Sequence, residues 1–140
     1  PNYTWMAGSS LGGLISAYAG YAYDATFGRV AAVSPSYWWD GRHFIAWAQG
    51  RPKPGLARFY QDMGTIEAGS ITDVDGDGVD DHIEDLRAVR DVALGQGFQP
   101  GLDLLSYEAA GHTHSEYWWS QRVPGMLRFL AGTPASLGVP

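Results

Sequence analysis

The apolar positions of the chain fall into short runs whose period alternates. Residues 2–7 read as a short apolar strand, and after a Gly/Ser turn residues 11–22 are apolar nearly all round, as a buried helix requires. Residues 29–33 form a second strand that Pro35 brings to an end, followed by a loop and a short helix over 43–48. The RPKPG segment is a turn before a third strand over 56–63. A helix over 84–94 carries Leu86, Val89 and Ala93 on one face and stops at Gly95 and Gly97. Residues 102–108 form a fourth strand, and 117–130 a closing helix in which Pro124 predicts a kink. Strands alternating with helices give an α/β unit with a mostly parallel sheet flanked by helices, and ligands should meet the loops at the strands' carboxyl ends.

The polar positions between these elements carry the candidate chemistry. Gly8, Ser9, Ser10, Leu11 and Gly12 fit G-x-S-x-G between a strand and a helix. In that setting Ser10 is the candidate nucleophile, because small neighbours let the backbone turn sharply and leave the hydroxyl above the sheet. The Leu11 N–H at the start of the following helix is a candidate oxyanion donor. A base is expected in the loop after the last strand, where His112 and His114 both lie; His43 and His82 read as solvated. An acid is expected after the preceding strand, where Asp62 and Glu67 are the choices. Trp38–Trp39 and Trp118–Trp119 are adjacent pairs, and neighbouring residues cannot both point inward, so Trp38, Trp39 and Trp118 are candidates for lining a substrate pocket.

Charge adds a second candidate site. The net charge is −6, but seven of the fifteen acids lie between Asp73 and Asp85, in a stretch without Lys or Arg, and the remainder is balanced. The acidity is therefore local, which points to a bound cation, and no basic patch suits a nucleic acid. The stretch DVDGDGVDDHIE places Asp73, Asp75 and Asp77 at positions 1, 3 and 5 of a calcium loop, with Gly78 at 6, the Val79 carbonyl at 7, Asp81 at 9 and Glu84 at 12. Asp80 stands at position 8, where paired loops carry an apolar residue, so a solitary structural Ca²⁺ loop is expected, as an insertion at about 70–84. Such loops bind at about 10⁻⁴ to 10⁻³ M in extracellular modules, which suggests a secreted or periplasmic location.

Composition bounds the rest. The 140 residues make one domain's worth of chain, and 45% apolar with 17% charged content excludes a disordered one. No run approaches the roughly 18 apolar residues of a membrane span. With no cysteine there is no disulfide framework, thiolate nucleophile or cysteine zinc site, and no organic cofactor is expected.

The segments AGSSLGGLISAY, AAVSPSYWWD, YQDMGTIE and GHTHSEYWWSQRVPGMLRFL resemble, in order, successive landmarks of the esterase family of α/β-hydrolases that includes siderophore esterases, feruloyl esterases and S-formylglutathione hydrolases. The resemblance spans nearly the whole chain. It implies Ser10 as nucleophile, His114 as base through the G-x-x-H-x-E-x-x-W pattern of Gly111, His114, Glu116 and Trp119, and Glu67 as acid. It also implies that residues 1–140 are a partial domain, the C-terminal half of an α/β-hydrolase fold. The N-terminal half of the parent chain, with the second oxyanion donor, would lie ahead of them. The expected function is hydrolysis of a small-molecule carboxylic ester through an acyl-enzyme. The alternatives are a non-catalytic calcium-stabilised binding module on the same scaffold, or an acyltransferase or peptidase using the same triad.

Overall fold

In the computed structural model, which describes residues 3–132, four parallel strands stand side by side in sequence order. They are β1 (Trp5–Ser9), β2 (Arg29–Val33), β3 (Arg58–Gly64) and β4 (Leu104–Ala109). Between them run α1 (Leu11–Ala22), α2 (Trp39–Gln49) and α3 (Asp81–Gly95), and α4 (Glu116–Ala131) follows the last strand. The register pairs Ser9 with Val33, Val33 with Asp62 and Asp62 with Tyr107. All four strands thus deliver their following loops to one edge of the sheet.

Alternation along the strands builds a core on each face. Val30, Ala32, Phe59 and Met63 pack against Ala17 and Tyr21 of α1, Phe44 of α2, and Leu86 and Val89 of α3. On the opposite face Ala31, Val33 and Tyr60 pack against Met126, Phe129 and Leu130 of α4. Each such large side chain contributes about 1.5–3 kcal/mol by its removal from water. Among the described residues the last helix is the one packed on that face of the sheet, and the loop before it crosses the carboxyl edge to get there. Among the described residues β1 pairs on one side only, with β2.

Four details differ from the sequence reading. Helix α1 is not buried all round: Leu11, Ile15 and Tyr18 form an exposed stripe at i, i+4, i+7, facing a groove shared with Trp39, His43 and Trp47. Helix α3 begins three residues early, because Asp80 caps it by accepting from the His82 N–H at 2.9 Å. The helical segment α2 opens at Trp39, but Asp40, Gly41 and Arg42 have φ of 52°, 61° and 66°, so regular helix starts at His43 as expected. Arg42 is held in that left-handed geometry beside the buried Asp85 of α3, with Nε 2.6 Å from its carboxylate. Strand β1 is shifted toward Ser9, and Asn2, where the expected strand began, lies outside the described residues. No helix among the described residues is long and apolar enough to cross a membrane.

Candidate active site

Ser10 joins β1 to α1 in a conformation that non-glycine residues avoid, φ 58° and ψ −125°. Such a residue stores about 1–3 kcal/mol and persists only where its surroundings over-determine it. Here the Ser10 N–H donates to the Val33 carbonyl at 3.0 Å, and its carbonyl accepts from the Leu14 and Ser36 N–H groups, both at 3.1 Å. The motif glycines are not equivalent. A Cβ on Gly8 would overlap the backbone of Gly12, whereas one on Gly12 would meet nothing. Gly8→Ala is therefore expected to destabilise the fold by about 1–3 kcal/mol or more and to misplace Ser10. Gly12→Ala, in the first turn of a helix, should be neutral or stabilising by up to about 1 kcal/mol. Thermal melting of the two variants checks this. As the first residue of α1, Leu11 has an N–H with no acceptor one turn back, on the same turn as the hydroxyl.

Ser10, Glu67 and His114 line one cavity of about 230 Å³, together with Ser34, Ser36, Trp38, Met63 and His82. His114 Nδ1 lies 2.5 Å from Glu67 Oε2, and the two backbones are tied by the His114 N–H donating to the Glu67 carbonyl at 3.0 Å. Because Nδ1 faces an acceptor, it carries the proton and leaves Nε2 as the basic atom. The Ser10 hydroxyl is hydrogen-bonded to Ser36 Oγ at 3.3 Å. Glu67 has only 2% of its side chain exposed. Burial pushes its pKa up, but hydrogen bonds from His114, Ser34 and the Gly64 N–H outweigh this and hold the carboxyl below the usual glutamate range. It stays a carboxylate, as the partner of an imidazolium must.

Neither Asp62 nor His112 is hydrogen-bonded through its side chain to Ser10, Glu67 or His114. Asp62 is fully buried, accepts from Tyr60 OH at 2.6 Å and the Ser34 N–H at 3.1 Å, and lies 3.2 Å from Arg122 Nη2. His112 stacks on Trp118 with ring centroids 4.1 Å apart and presents Nδ1 to Arg122 Nη1 at 3.4 Å. Burial and that guanidinium lower its pKa, so it is neutral near pH 7. Of the tryptophans named from the sequence, Trp38 lines the cavity, Trp39 lines the groove beside α1, and Trp118 packs on His112. Trp119 meets the His114 ring edge-on at 4.9 Å.

The sequence reading missed the support behind Glu67. Ser34 donates to Glu67 Oε1 at 2.7 Å and accepts from Arg122 Nη2 at 2.7 Å, so a buried Arg122–Ser34–Glu67–His114 chain of hydrogen bonds runs from α4 to the cavity. The sequence held one signal for Ser34, its position at the carboxyl end of a strand before Pro35; for Arg122 there was none.

The acidic segment closes on itself as a loop. Gly76, Asp77 and Gly78 N–H groups donate to the Asp73 carboxylate at 2.6, 3.1 and 2.9 Å, with Gly76 and Gly78 at φ 81° and 88°. Those bonds lower the Asp73 pKa, led by the one from Gly78. Carboxylate oxygens of Asp73, Asp75 and Asp77 lie within 4.8 Å of one another. Glu84 is pushed up by desolvation and by the charges of Asp75, Asp77 and Asp81. This hard, crowded oxygen set fits Ca²⁺.

No protein-family model matches the chain. It is 29% identical over 133 residues to an uncharacterized protein of Bacillus subtilis strain 168, YbbA, covering 94% of this chain and 50% of that protein. A 45-residue stretch, 32% of this chain and 10% of the relative, is 44% identical to the iron(III) enterobactin esterase of Dickeya dadantii. The crystal structure of the enterobactin esterase FES from Shigella flexneri in the presence of enterobactin matches 93% of this chain over 30% of its own, with a TM-score of 0.70 and 20% identity. The chain thus spans half the length of YbbA and less than a third of the FES chain. The landmarks in the sequence and the sheet order meet in one result: the described residues have the α/β-hydrolase fold of the enterobactin and siderophore esterases, over a part of its length.

Proposed function

We propose that this chain carries the catalytic machinery of a serine esterase acting on a small carboxylic ester. His114 Nε2 takes the proton of Ser10 Oγ as the oxygen attacks the ester carbonyl. The Leu11 N–H donates to the resulting oxyanion, and Glu67 accepts from Nδ1–H as the imidazolium forms. The imidazolium then protonates the departing alkoxide, water enters by the same base, and the acid product leaves with Ser10 restored. The observation that carries this reading is the convergence of a strained serine, an imidazole and a buried carboxylate bonded to that imidazole on one cavity at the carboxyl edge of the sheet. Trp38 serves as a wall of the acyl or alcohol pocket. The fold shared with enterobactin and siderophore esterases supports the reaction class. With a p-nitrophenyl ester, the full-length protein is expected to release a stoichiometric burst of nitrophenol before steady turnover, the mark of an acyl-enzyme. Absence of any hydrolysis would favour a binding module.

The same proposal gives Ca²⁺ to Asp73, Asp75, Asp77, the Val79 carbonyl, Asp81 and Glu84, in a structural role suited to the calcium concentrations outside the cytoplasm. The Thr72 carbonyl accepts from the Asp81 N–H at 2.7 Å, so the loop's two ends are joined, five residues beyond Glu67. At ten to a hundred times its dissociation constant, Ca²⁺ would add about 1.4–2.7 kcal/mol of stability. Chelator should lower the melting temperature, and activity at temperatures near it. An unchanged melting temperature would contradict a structural calcium ion.

A further inference from the structure

A second imidazole reaches the cavity. His82, in the first turn of α3, lines it with Ser10, His114, Glu67 and Trp38. Its Nδ1 is 2.8 Å from Oδ1 of Asp80, whose side chain is 1% exposed. The same carboxylate accepts from the His82 N–H at 2.9 Å and, through Oδ2, from the Thr72 N–H at 2.9 Å. A carboxylate so surrounded by donors only accepts, so His82 Nδ1 carries the proton and the ring is fixed. Nε2 is left with a lone pair and no hydrogen-bond partner among the described residues.

The other polar side chains of the cavity already have partners or a role. Ser34 bonds Glu67 and Arg122, Glu67 bonds His114, Ser36 bonds Ser10, and His114 Nε2 is the base of the proposed reaction. Pro35, Trp38, Met63 and Ala68 supply apolar wall. Pockets of this kind orient a ligand through a few convergent polar atoms. His82 lines this cavity, and its Nε2 is a ring acceptor that the proposed chemistry does not use. Resting on the esterase reading above, we propose that His82 is a specificity-determining residue whose Nε2 accepts a hydrogen bond from a hydroxyl or N–H group of the bound ester. The preferred substrates are therefore hydroxy- or amido-esters. An ester lacking the donor leaves a desolvated nitrogen unpaired, the situation in which sites discriminate most strongly.

The test compares p-nitrophenyl hydroxyacyl esters with their O-methyl ethers in the full-length protein. The wild type should favour the hydroxy ester at least about tenfold in kcat/KM. In His82→Ala that ratio should fall to near one through a rise in KM for the hydroxy ester, and His82→Gln, whose amide oxygen also accepts, should restore part of it. A purely structural role would lower both substrates alike. Labelling of Ser10 by a small fluorophosphonate reports whether the elbow is assembled in each variant. Wild-type labelling and hydrolysis without a hydroxy preference, or a preference that survives His82→Ala, would overturn the assignment. So would loss of labelling in both variants, which would make His82 a residue of the fold. Failure of the esterase reading itself looks different: no labelling and no hydrolysis in the wild type.

Discussion

Ser10→Ala is expected to lower kcat by about 10⁵ to 10⁶, to the residual level left by binding and oxyanion stabilisation. The fold should survive, since the hydroxyl's hydrogen bond is to Ser36 at 3.3 Å and the backbone is held by Val33, Leu14 and Ser36. Ser10→Gly gives the sharper signature. Glycine adopts φ 58° without steric cost, so the strain of about 1–3 kcal/mol is released against about 0.5–1 kcal/mol of extra chain entropy. The variant should be inactive yet more stable by about 1 kcal/mol, a rise of a few degrees in Tm. A serine serving only the fold would show the reverse. Activity and melting of the two variants side by side decide the matter.

The second large effect separates the two buried acids. Glu67→Gln keeps the volume but replaces the acceptor facing Nδ1 by an amide that can present a donor there, favouring the wrong tautomer of His114. A loss of about 10³ to 10⁴ in kcat is expected. Asp62→Asn should act on stability instead. It leaves the Arg122 guanidinium, 2% exposed, without its carboxylate, at about 3–5 kcal/mol. The pH dependence has a defined sign. The folded pKa of Glu67 is depressed, so its contribution to stability is fully present above its ordinary value of 4.5 and is lost as pH falls through the lower folded value. The difference in Tm between wild type and Glu67→Gln should accordingly be constant near neutrality and shrink below about pH 4.5.

The period of the apolar residues was enough to locate α1 and β2, the latter paired on both sides by its neighbours in register. It was less informative at segment starts governed by side-chain polarity. The expected helix over 84–94 begins at Asp81 because a loop aspartate caps it, and the left-handed run at 40–42 is held beside Asp85, more than forty residues away. The candidate site was legible as far as each member carried a local motif, as Ser10 did between glycines and His114 did after the last strand. Ser34 and Arg122 lie within the landmark segments but carry no chemical motif of their own, and His82 sits in the acidic stretch outside its ligand positions. They come together because parallel strands in register bring their following loops to one edge, and α4 crosses that edge to cover the opposite face. The solvated reading of His82 failed for the same reason: its partner Asp80, at the non-ligand position 8 of the expected calcium loop, is a buried helix cap.

The proposed chemistry stands on Ser10 Oγ being a nucleophile driven by His114. Fluorophosphonate labelling of the full-length protein, with the adduct located by mass spectrometry, tests it most directly. One adduct per chain is expected, on Ser10, with a labelling rate that falls by at least about 10³ in His114→Ala. An adduct on Ser34 or Ser36, no adduct at all, or a Ser10 rate indifferent to the loss of His114 would contradict it.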